Sequence, residues 1–250
     1  MDVVERLAPL SLRDLDERAA LLRRTDRKYV LDRDVFETLV DRLAGDHDAL
    51  EIDGRRVFAY SSTYVDSPDL RCFHDHVEGR APRFKARTRH YRDTGVCYFE
   101  VKLKLEGGET DKRQIEHAPS DDGILTAEAR RLVDETLPEA GIEPPAELRP
   151  ALRTGFDRIT LAARAGGARL TCDLGVAMEA LDGRTTRMRE GRVLVESKSE
   201  DGRADADRIL ADLGQPSVSL SKYRTGIDLL VERDESGDLD AIRPLFTPPA

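Results

Sequence analysis

The sequence lacks several features that would indicate common classes of protein. It has no tryptophan, 5% aromatic residues and three cysteines among 250 residues. Because Cys72, Cys97 and Cys172 are widely spaced and form no CxxC pair, neither a disulfide framework nor a thiolate zinc site is expected. No stretch approaches the roughly 18 apolar residues of a membrane span. The charged start MDVVERLAPLSLRDLDER is unlike a secretory signal. We therefore expect a cytoplasmic protein that does not insert into a membrane.

Acidic charge dominates the chain as a whole, but one segment is strongly basic. The formal net charge is −9, whereas seven Lys or Arg stand against two acids between Arg83 and Lys104. Overall acidity argues against nucleic-acid binding, which is typical of basic domains. A concentration of cations in an acidic chain predicts a polyanionic ligand. A solvated strand face covered by long basic side chains is the alternative.

The spacing of apolar residues predicts strands interrupted by helices, which is an α+β fold. Residues 1–23 predict an N-terminal helix, and later segments with helical spacing are DRDVFETLVDRLAG, DLRCFHDHVEGR, TAEARRLVDETLPEAG and RADADRILADLG. The segment AELRPAL predicts one further helical turn. About eight strand-like segments favour an eight-stranded antiparallel β-barrel flanked by helices, with an interior that can hold a ligand. The alternative is an open sheet covered by helices, with its basic face in solvent.

Basic residues recur at every second position of several predicted strands, which places them on one face. These in-phase cations are Lys28, Lys85, Arg87, Arg89, Lys102, Lys104, Lys112, Arg158, Arg169, Lys198 and Lys222, with Arg24 in the same phase as Lys28. Two like charges about 4 Å apart repel by about 4 kcal/mol at an effective dielectric near 20. Cations that share one interior therefore require counter-charge, and a chain of phosphates would supply it, bound bidentately by Arg and as a point charge by Lys.

Three acidic residues, Asp26, Glu100 and Glu196, lie in phase with these cations. One interpretation makes them salt-bridge partners. The other makes them candidate ligands of Mn²⁺ or Mg²⁺, which take oxygen ligands and share them with phosphates. We favour metal binding for Glu196 and leave both interpretations open for Asp26 and Glu100. His74 and His76 are two residues apart on a predicted helix and do not face each other, so surface histidines are expected there.

Seven segments, in this order, resemble the VTC domain: RTDRKYVL, RFKARTRHY, FEVKLK, FDRIT, ARLTCD, VLVESKS and LSKYRTG. The VTC domain is the polyphosphate polymerase module of the vacuolar transporter chaperone complex, in the CYTH-like superfamily of triphosphate tunnel metalloenzymes. The resemblance extends from about Arg24 to Gly226. It implies that residues 24–231 form one tunnel domain, an eight-stranded antiparallel barrel flanked by helices. Residues 232–250, charged and proline-containing, predict a flexible C-terminal tail.

The resemblance also implies an activity, in which the γ-phosphate of ATP passes to a growing polyphosphate chain with the help of Mn²⁺ or Mg²⁺. By motif, the phosphate-binding residues fall on Lys28, Arg87, Arg89, Lys102, Lys112, Arg158, Arg169 and Lys222, and the metal-binding glutamate on Glu196. Phosphoryl transfer needs positioning and charge stabilisation rather than a protein nucleophile. The candidate catalytic residues are therefore cations: Lys28, Arg87, Arg89, Lys102, Arg158 and Lys222.

Two alternatives share the same predicted site. One is an inorganic or nucleoside triphosphatase, in which water accepts the phosphoryl group. The other is a non-catalytic module that binds polyphosphate or inositol pyrophosphates. The expected partners are ATP and inorganic polyphosphate or triphosphate, without nucleic acid, and a membrane-protein partner is left open.

Overall fold

The computed structural model describes residues 2–18 and 25–250, and it has the expected α+β fold. In these ranges the α-helices are α1 Leu12–Arg18, α2 Arg33–Leu43, α3 Arg71–Val77, α4 Ala127–Glu139, α5 Asp205–Asp212 and α6 Lys222–Leu230. The strands are β1 Ala8–Leu10, β2 Thr25–Asp32, β3 His47–Leu50, β4 Phe58–Asp66, β5 Arg83–Tyr91, β6 Val96–Lys104, β7 Thr110–Glu116, β8 Arg149–Ala163, β9 Arg169–Ala180, β10 Thr185–Arg187 and β11 Arg192–Ser199.

The strands of the described ranges form one 11-stranded, mostly antiparallel sheet. Its main path runs β2, β11, β9, β8, β4, β5, β6, β7, while β3 pairs with β8 and β1, and β10 pairs with β9. Within the described residues the end strands β2 and β7 are not paired with each other, so the sheet is not closed. The prediction of a closed eight-stranded barrel is therefore wrong in strand number and in closure. Side chains alternate in the same way in open and closed sheets, so alternation could not decide this point.

The chain divides into two compact units, each assembled from three segments. The first unit contains Met1–Phe58, Phe156–Val176 and Met188–Ser219, and the second contains Ala59–Gly155, Ala177–Arg187 and Leu220–Ala250. Because each unit draws on separate stretches of chain, no linker composition marks the division.

In the first unit, one sheet face packs against two helices. The apolar positions of β2, β8, β9 and β11 meet α2 and α5 in one cluster, which includes Tyr29, Leu31, Phe36, Leu39, Ile159, Leu161, Leu170, Cys172, Val193, Val195 and Leu210. Each of these strand residues is next in sequence to a residue of the opposite face, such as Lys28 beside Tyr29. Burial of the apolar face therefore fixes where the in-phase polar residues lie.

In the second unit, α4 covers the apolar face of the sheet at β6 and β7. The helix begins at Thr126, whose side chain accepts a hydrogen bond from the Ala129 backbone N–H. Its Val133 and Leu137 are buried, as are Phe99 and Val101 of β6. The helix predicted in TAEARRLVDETLPEAG is confirmed. Because α4 packs on the apolar face of the sheet, its side chains do not cover the opposite face of β6 and β7.

Two predicted elements are wrong. AELRPAL is not a helical turn but leads into β8, which begins at Arg149. LSKYRTG is not a strand but the start of α6, so Lys222 lies in the first turn of a helix. The reason is local, because the Ser221 side chain accepts a hydrogen bond from the Arg224 backbone N–H and caps the helix. A segment this short does not separate a period of two from a helical period.

Both ends of the chain differ from the prediction, because the described N-terminal residues do not form one continuous helix and the expected flexible tail has buried residues. Residues 2–18 form a 3₁₀-helix at Asp2–Arg6, then β1 and α1, while the remainder of the predicted N-terminal helix and Arg24 lie outside the described residues. Leu239, Ile242 and Phe246 in the expected tail are buried. No helix in the described ranges has both the length and the apolar content to cross a membrane.

Candidate functional site

Three neighbouring strands of the second unit place seven cations on one side. Lys85 of β5 lies opposite Lys102 of β6, which lies opposite Lys112 of β7, and Arg83 lies opposite Lys104. We call this side the basic face, and its residues are Arg83, Lys85, Arg87, Arg89, Lys102, Lys104 and Lys112. The residues between them, such as Phe84 and Leu103, are buried. The alternation in RFKARTRHY and FEVKLK therefore brings together the predicted residues Lys85, Arg87, Arg89, Lys102 and Lys104, and Lys112 joins them from β7, whereas Arg83 was not among the predicted site residues.

Glu100 lies among these cations with both of its oxygens bound. Its Oε2 accepts a hydrogen bond from Arg87 Nε at 2.8 Å, and its Oε1 accepts one from Lys112 Nζ at 3.3 Å. The Nε of Arg89 is 3.5 Å from Oε2. Burial alone would raise the pKa of Glu100, but Arg87 and Lys112 outweigh burial and hold that pKa below its usual value. These contacts favour the salt-bridge interpretation of Glu100 over metal binding.

Arg87 is fixed from two sides. Besides its contacts with Glu100, it donates a hydrogen bond to the Tyr64 hydroxyl at 2.9 Å, and its guanidinium lies 5.5 Å from the centre of the Tyr64 ring. Burial lowers the pKa of Arg87, but Tyr64 and Glu100 outweigh burial and raise it. Arg87 is thus a permanent cation held in one orientation, with its Nε and Nη2 directed at Glu100 and its Nη1 at the Tyr64 hydroxyl. Tyr64 is not among the predicted residues, although it lies two positions after Ser62 on the same face of β4.

Arg89 differs from Arg87 in its hydrogen bonds. Its Nε is buried without a hydrogen-bond partner. Such a donor costs free energy unless a ligand or water satisfies it. In the register of β5 and β6, Arg89 lies opposite Tyr98.

Lys85 connects the basic face to α3 and α6. Its Nζ is 2.9 Å from Nδ1 of His76 and donates a hydrogen bond to the Ser221 hydroxyl at 3.0 Å. His76 therefore contacts a predicted phosphate-binding lysine. His74 points elsewhere, with its Nε2 3.3 Å from a Glu232 carboxylate oxygen. The sequence carries no signal for the contact between His76 and Lys85, which depends on the packing of α3.

A second group of polar residues lies on the strands of the first unit. We call it the first-unit cluster: Lys28, Arg158, Arg169, Thr171, Asp173, Glu196 and Lys198. In the pairing of β11, Glu196 lies opposite Lys28 on one side and Thr171 on the other. Arg158 donates two hydrogen bonds to Asp173, at 2.6 and 2.8 Å. Asp173 was missed, although it is in phase with Arg169 in ARLTCD.

Glu196 and Lys198 form a close pair within this cluster. Lys198 Nζ donates to Glu196 Oε2 at 2.8 Å and to the Thr171 hydroxyl at 3.3 Å. Burial alone would raise the pKa of Glu196, but Lys198 and Lys28 outweigh burial and hold it well below its usual value. Burial, with Arg158 and Arg169, lowers the pKa of Lys198 to about 8, against the opposing effect of Glu196. Glu196 is therefore ionised at neutral pH.

The candidate metal ligands do not form one cluster. In the described part of the chain, no group of three or more His, Cys, Asp or Glu side chains is arranged to hold a metal. Asp26 lies opposite Lys198 on β2, and Asp173 is bound by Arg158. Glu196 is thus a single ionised carboxylate among cations. It fits Mg²⁺ or Mn²⁺ shared with phosphate oxygens, as Mg²⁺ is commonly held, and does not fit an all-protein cage.

The cysteines and Lys222 complete the predicted residues. All three cysteines are free and buried, and burial raises the pKa of each thiol, as expected for unreactive residues. Lys222 is half-buried in α6, next to the Ser221 that contacts Lys85.

The chain matches a protein-family model over most of its length. The family model described as the VTC domain matches residues 23–231. No curated protein matches the chain. Among solved structures, it is similar to a protein of Pyrococcus horikoshii at 10% identity, covering 77% of this chain and 91% of that one with a TM-score of 0.45. A proposed adenylyl cyclase of Hippeastrum, with a dominant triphosphatase activity, shares 15% identity over 79% of this chain and 92% of its own, with a TM-score of 0.45.

Proposed function

Since this chain belongs to the VTC domain family, whose model matches residues 23–231, we propose that it is a metal-dependent polyphosphate polymerase. It transfers the γ-phosphate of ATP to a growing chain of inorganic polyphosphate. The observation that carries the proposal is the basic face, where seven cations share one side of three strands and three of them, Arg87, Arg89 and Lys112, contact the buried Glu100. Cations therefore outnumber carboxylates among the residues of this face. A row of phosphates matches both the sign and the linear arrangement.

The contacts of Arg87 and Arg89 support their roles in phosphate binding. Glu100 and Tyr64 hold the Arg87 guanidinium in place before a ligand arrives, so less ordering is needed on binding. The buried Nε of Arg89, which has no hydrogen-bond partner, is a donor that a phosphate oxygen would satisfy. Donors that are already oriented stabilise the charge that develops on the transferred phosphoryl group.

The first-unit cluster by itself has the residues that phosphate and metal binding require. Asp173 orients Arg158 through two hydrogen bonds, and Lys28 lies opposite the ionised Glu196. Glu196, together with phosphate oxygens, would hold Mn²⁺ or Mg²⁺. When bound, the metal ion neutralises negative charge on the phosphates. The basic residues Lys28, Arg158, Arg169 and Lys198 bind phosphate oxygens and keep the reacting groups in position.

Incubation of the purified protein with ATP and Mn²⁺ tests this function. Long polyphosphate on a gel together with ADP supports the polymerase. ADP with inorganic phosphate alone would identify a triphosphatase, and tight triphosphate binding without turnover would identify a non-catalytic module. Glu196→Gln should abolish turnover while the protein still binds tripolyphosphate, because the basic residues remain. Arg113→Ala is the matched control, since Arg113 lies on the opposite side of β7 and pairs with Asp111 and Glu139.

A further inference from the structure

Three tyrosines form a cluster at one end of the basic face. They are Tyr60 of β4, Tyr91 of β5 and Tyr98 of β6, and we call them the tyrosine cluster. The ring centres of Tyr60 and Tyr91 are 4.8 Å apart at an interplanar angle of 55°. Those of Tyr91 and Tyr98 are 6.1 Å apart at 86°. All three residues are half-buried, so part of each remains accessible.

The register of the strands places this cluster in line with the phosphate-binding residues. Tyr91 follows Arg89 by two positions on the same face of β5, a separation of about 7 Å. Tyr98 lies directly opposite Arg89, and Tyr60 lies directly opposite Tyr91. Cations and aromatic rings therefore occupy consecutive positions of one continuous face. A nucleoside triphosphate has the same order of groups, with phosphates at one end and an aromatic base at the other.

The orientation of the rings suits a third aromatic group. Tyr91 and Tyr98 meet edge to face, which is one of the arrangements that aromatic groups prefer. A base can join such a cluster by stacking, and base stacking on aromatic side chains tolerates different bases because every base has a π-face. Cross-strand aromatic pairs also stabilise sheets. A role in sheet stability does not depend on whether the ligand carries a base, whereas a role in base binding does.

We propose that the tyrosine cluster is the subsite that binds the base of the nucleoside triphosphate, while Arg89 and its neighbours bind the phosphates. The proposal rests on the function proposed above. It predicts that the tyrosines contribute to the binding of ATP and contribute nothing to the binding of inorganic tripolyphosphate, which has no base.

Calorimetric titration of ATP and of tripolyphosphate, both with Mg²⁺, tests the subsite. Tyr91→Leu should weaken ATP binding about tenfold or more, from the lost stacking, while tripolyphosphate binding stays within twofold of wild type. Tyr91→Phe keeps the ring and should bind both ligands like wild type. Unchanged ATP affinity in Tyr91→Leu, or equal weakening of both ligands, would overturn the proposal.

A second position and a second measurement keep the test decisive. If Tyr91→Leu fails to fold, Tyr98→Leu is judged by the same two affinities. Because the chain has no tryptophan, tyrosine emission can be followed directly, and ATP should quench it whereas tripolyphosphate should not. Equal quenching by both ligands counts against stacking. A wild-type protein that does not bind tripolyphosphate contradicts the proposed function as well, whereas failure of the tyrosine variants alone contradicts only the base subsite.

Discussion

Arg87 and Glu100 lie directly opposite each other on β5 and β6, and the Arg87 Nε donates a hydrogen bond to the Glu100 Oε2 at 2.8 Å. This pair lies at the centre of the basic face. Glu100 is the buried carboxylate that reduces the electrostatic repulsion between Arg87, Arg89 and Lys112. The stability of the face in the absence of ligand therefore depends on one side chain.

We predict that Glu100→Gln lowers the free energy of unfolding by about 3 kcal/mol, because the cations around it then lack their buried partner. Tripolyphosphate should restore much of the loss, since it replaces the missing negative charge and binds only the folded state. Urea unfolding with and without tripolyphosphate measures both effects. Glu147→Gln, at an exposed position, is the control and should change neither. A Glu100→Gln protein as stable as wild type would contradict the role of this carboxylate.

Lys112 and Arg113 are adjacent in sequence but face opposite sides of β7, which gives a matched pair of variants. Lys112→Ala should weaken tripolyphosphate binding about tenfold, which corresponds to about 1.4 kcal/mol, because it removes a cation of the basic face. Arg113→Ala should leave the affinity unchanged, because Arg113 pairs with Asp111 and Glu139. Titration calorimetry at low ionic strength measures both. Equal losses in the two variants would mean that net charge, and not position, determines binding.

Gly226 allows α6 to pack closely within the second unit. A Cβ at this position would lie 2.3 Å from Leu152 Cδ2 and 3.1 Å from Met178 Sδ. We predict that Gly226→Ala destabilises the protein by about 1–3 kcal/mol through overpacking. Gly45→Ala is the control, since nothing lies within 4 Å of its Cβ position. Thermal unfolding compares the two. A Gly226→Ala protein as stable as Gly45→Ala would contradict the observed packing of α6.

His47 makes stability depend on pH in the first unit. Both ring nitrogens are buried without a hydrogen-bond partner, and burial, with a smaller effect of Arg164, lowers the pKa of His47 below 6.5. The unfolded state then binds the proton more readily, so this contribution to stability is present above pH 6.5 and is lost as the pH falls through the lowered pKa. His47→Leu should make the free energy of unfolding less dependent on pH between about 7 and 5. An unchanged pH profile in His47→Leu would contradict this assignment.

The sequence predicted the local order of the site better than the overall topology. Alternation in RFKARTRHY and FEVKLK correctly placed Lys85, Arg87 and Arg89 on one face, because the apolar residues between them must be buried. Alternation does not specify which strands pair at the ends of a sheet, so the open 11-stranded arrangement could not be predicted. Lys222 was assigned to a strand, because the few residues at the start of a capped helix are too short a segment to show the helical period of apolar residues.

Contacts that depend on register or on packing between elements were also beyond the sequence. The tyrosine cluster exists because Tyr60 is opposite Tyr91 and Arg89 is opposite Tyr98, and a shift of one residue in either pairing would disperse it. The contact of His76 with Lys85 likewise requires the packing of α3 beside β5. Asp173 could have been found, since it continues the alternation of Arg169 and Thr171.

The central claim is that the cations of the basic face bind a chain of phosphates, and a crystal structure with tripolyphosphate and Mn²⁺ tests it most directly. We predict phosphate groups in contact with Arg87, Arg89 and Lys102, with an oxygen accepting a hydrogen bond from the Arg89 Nε. Tripolyphosphate bound elsewhere, with none of these three side chains in contact with it, would contradict the account.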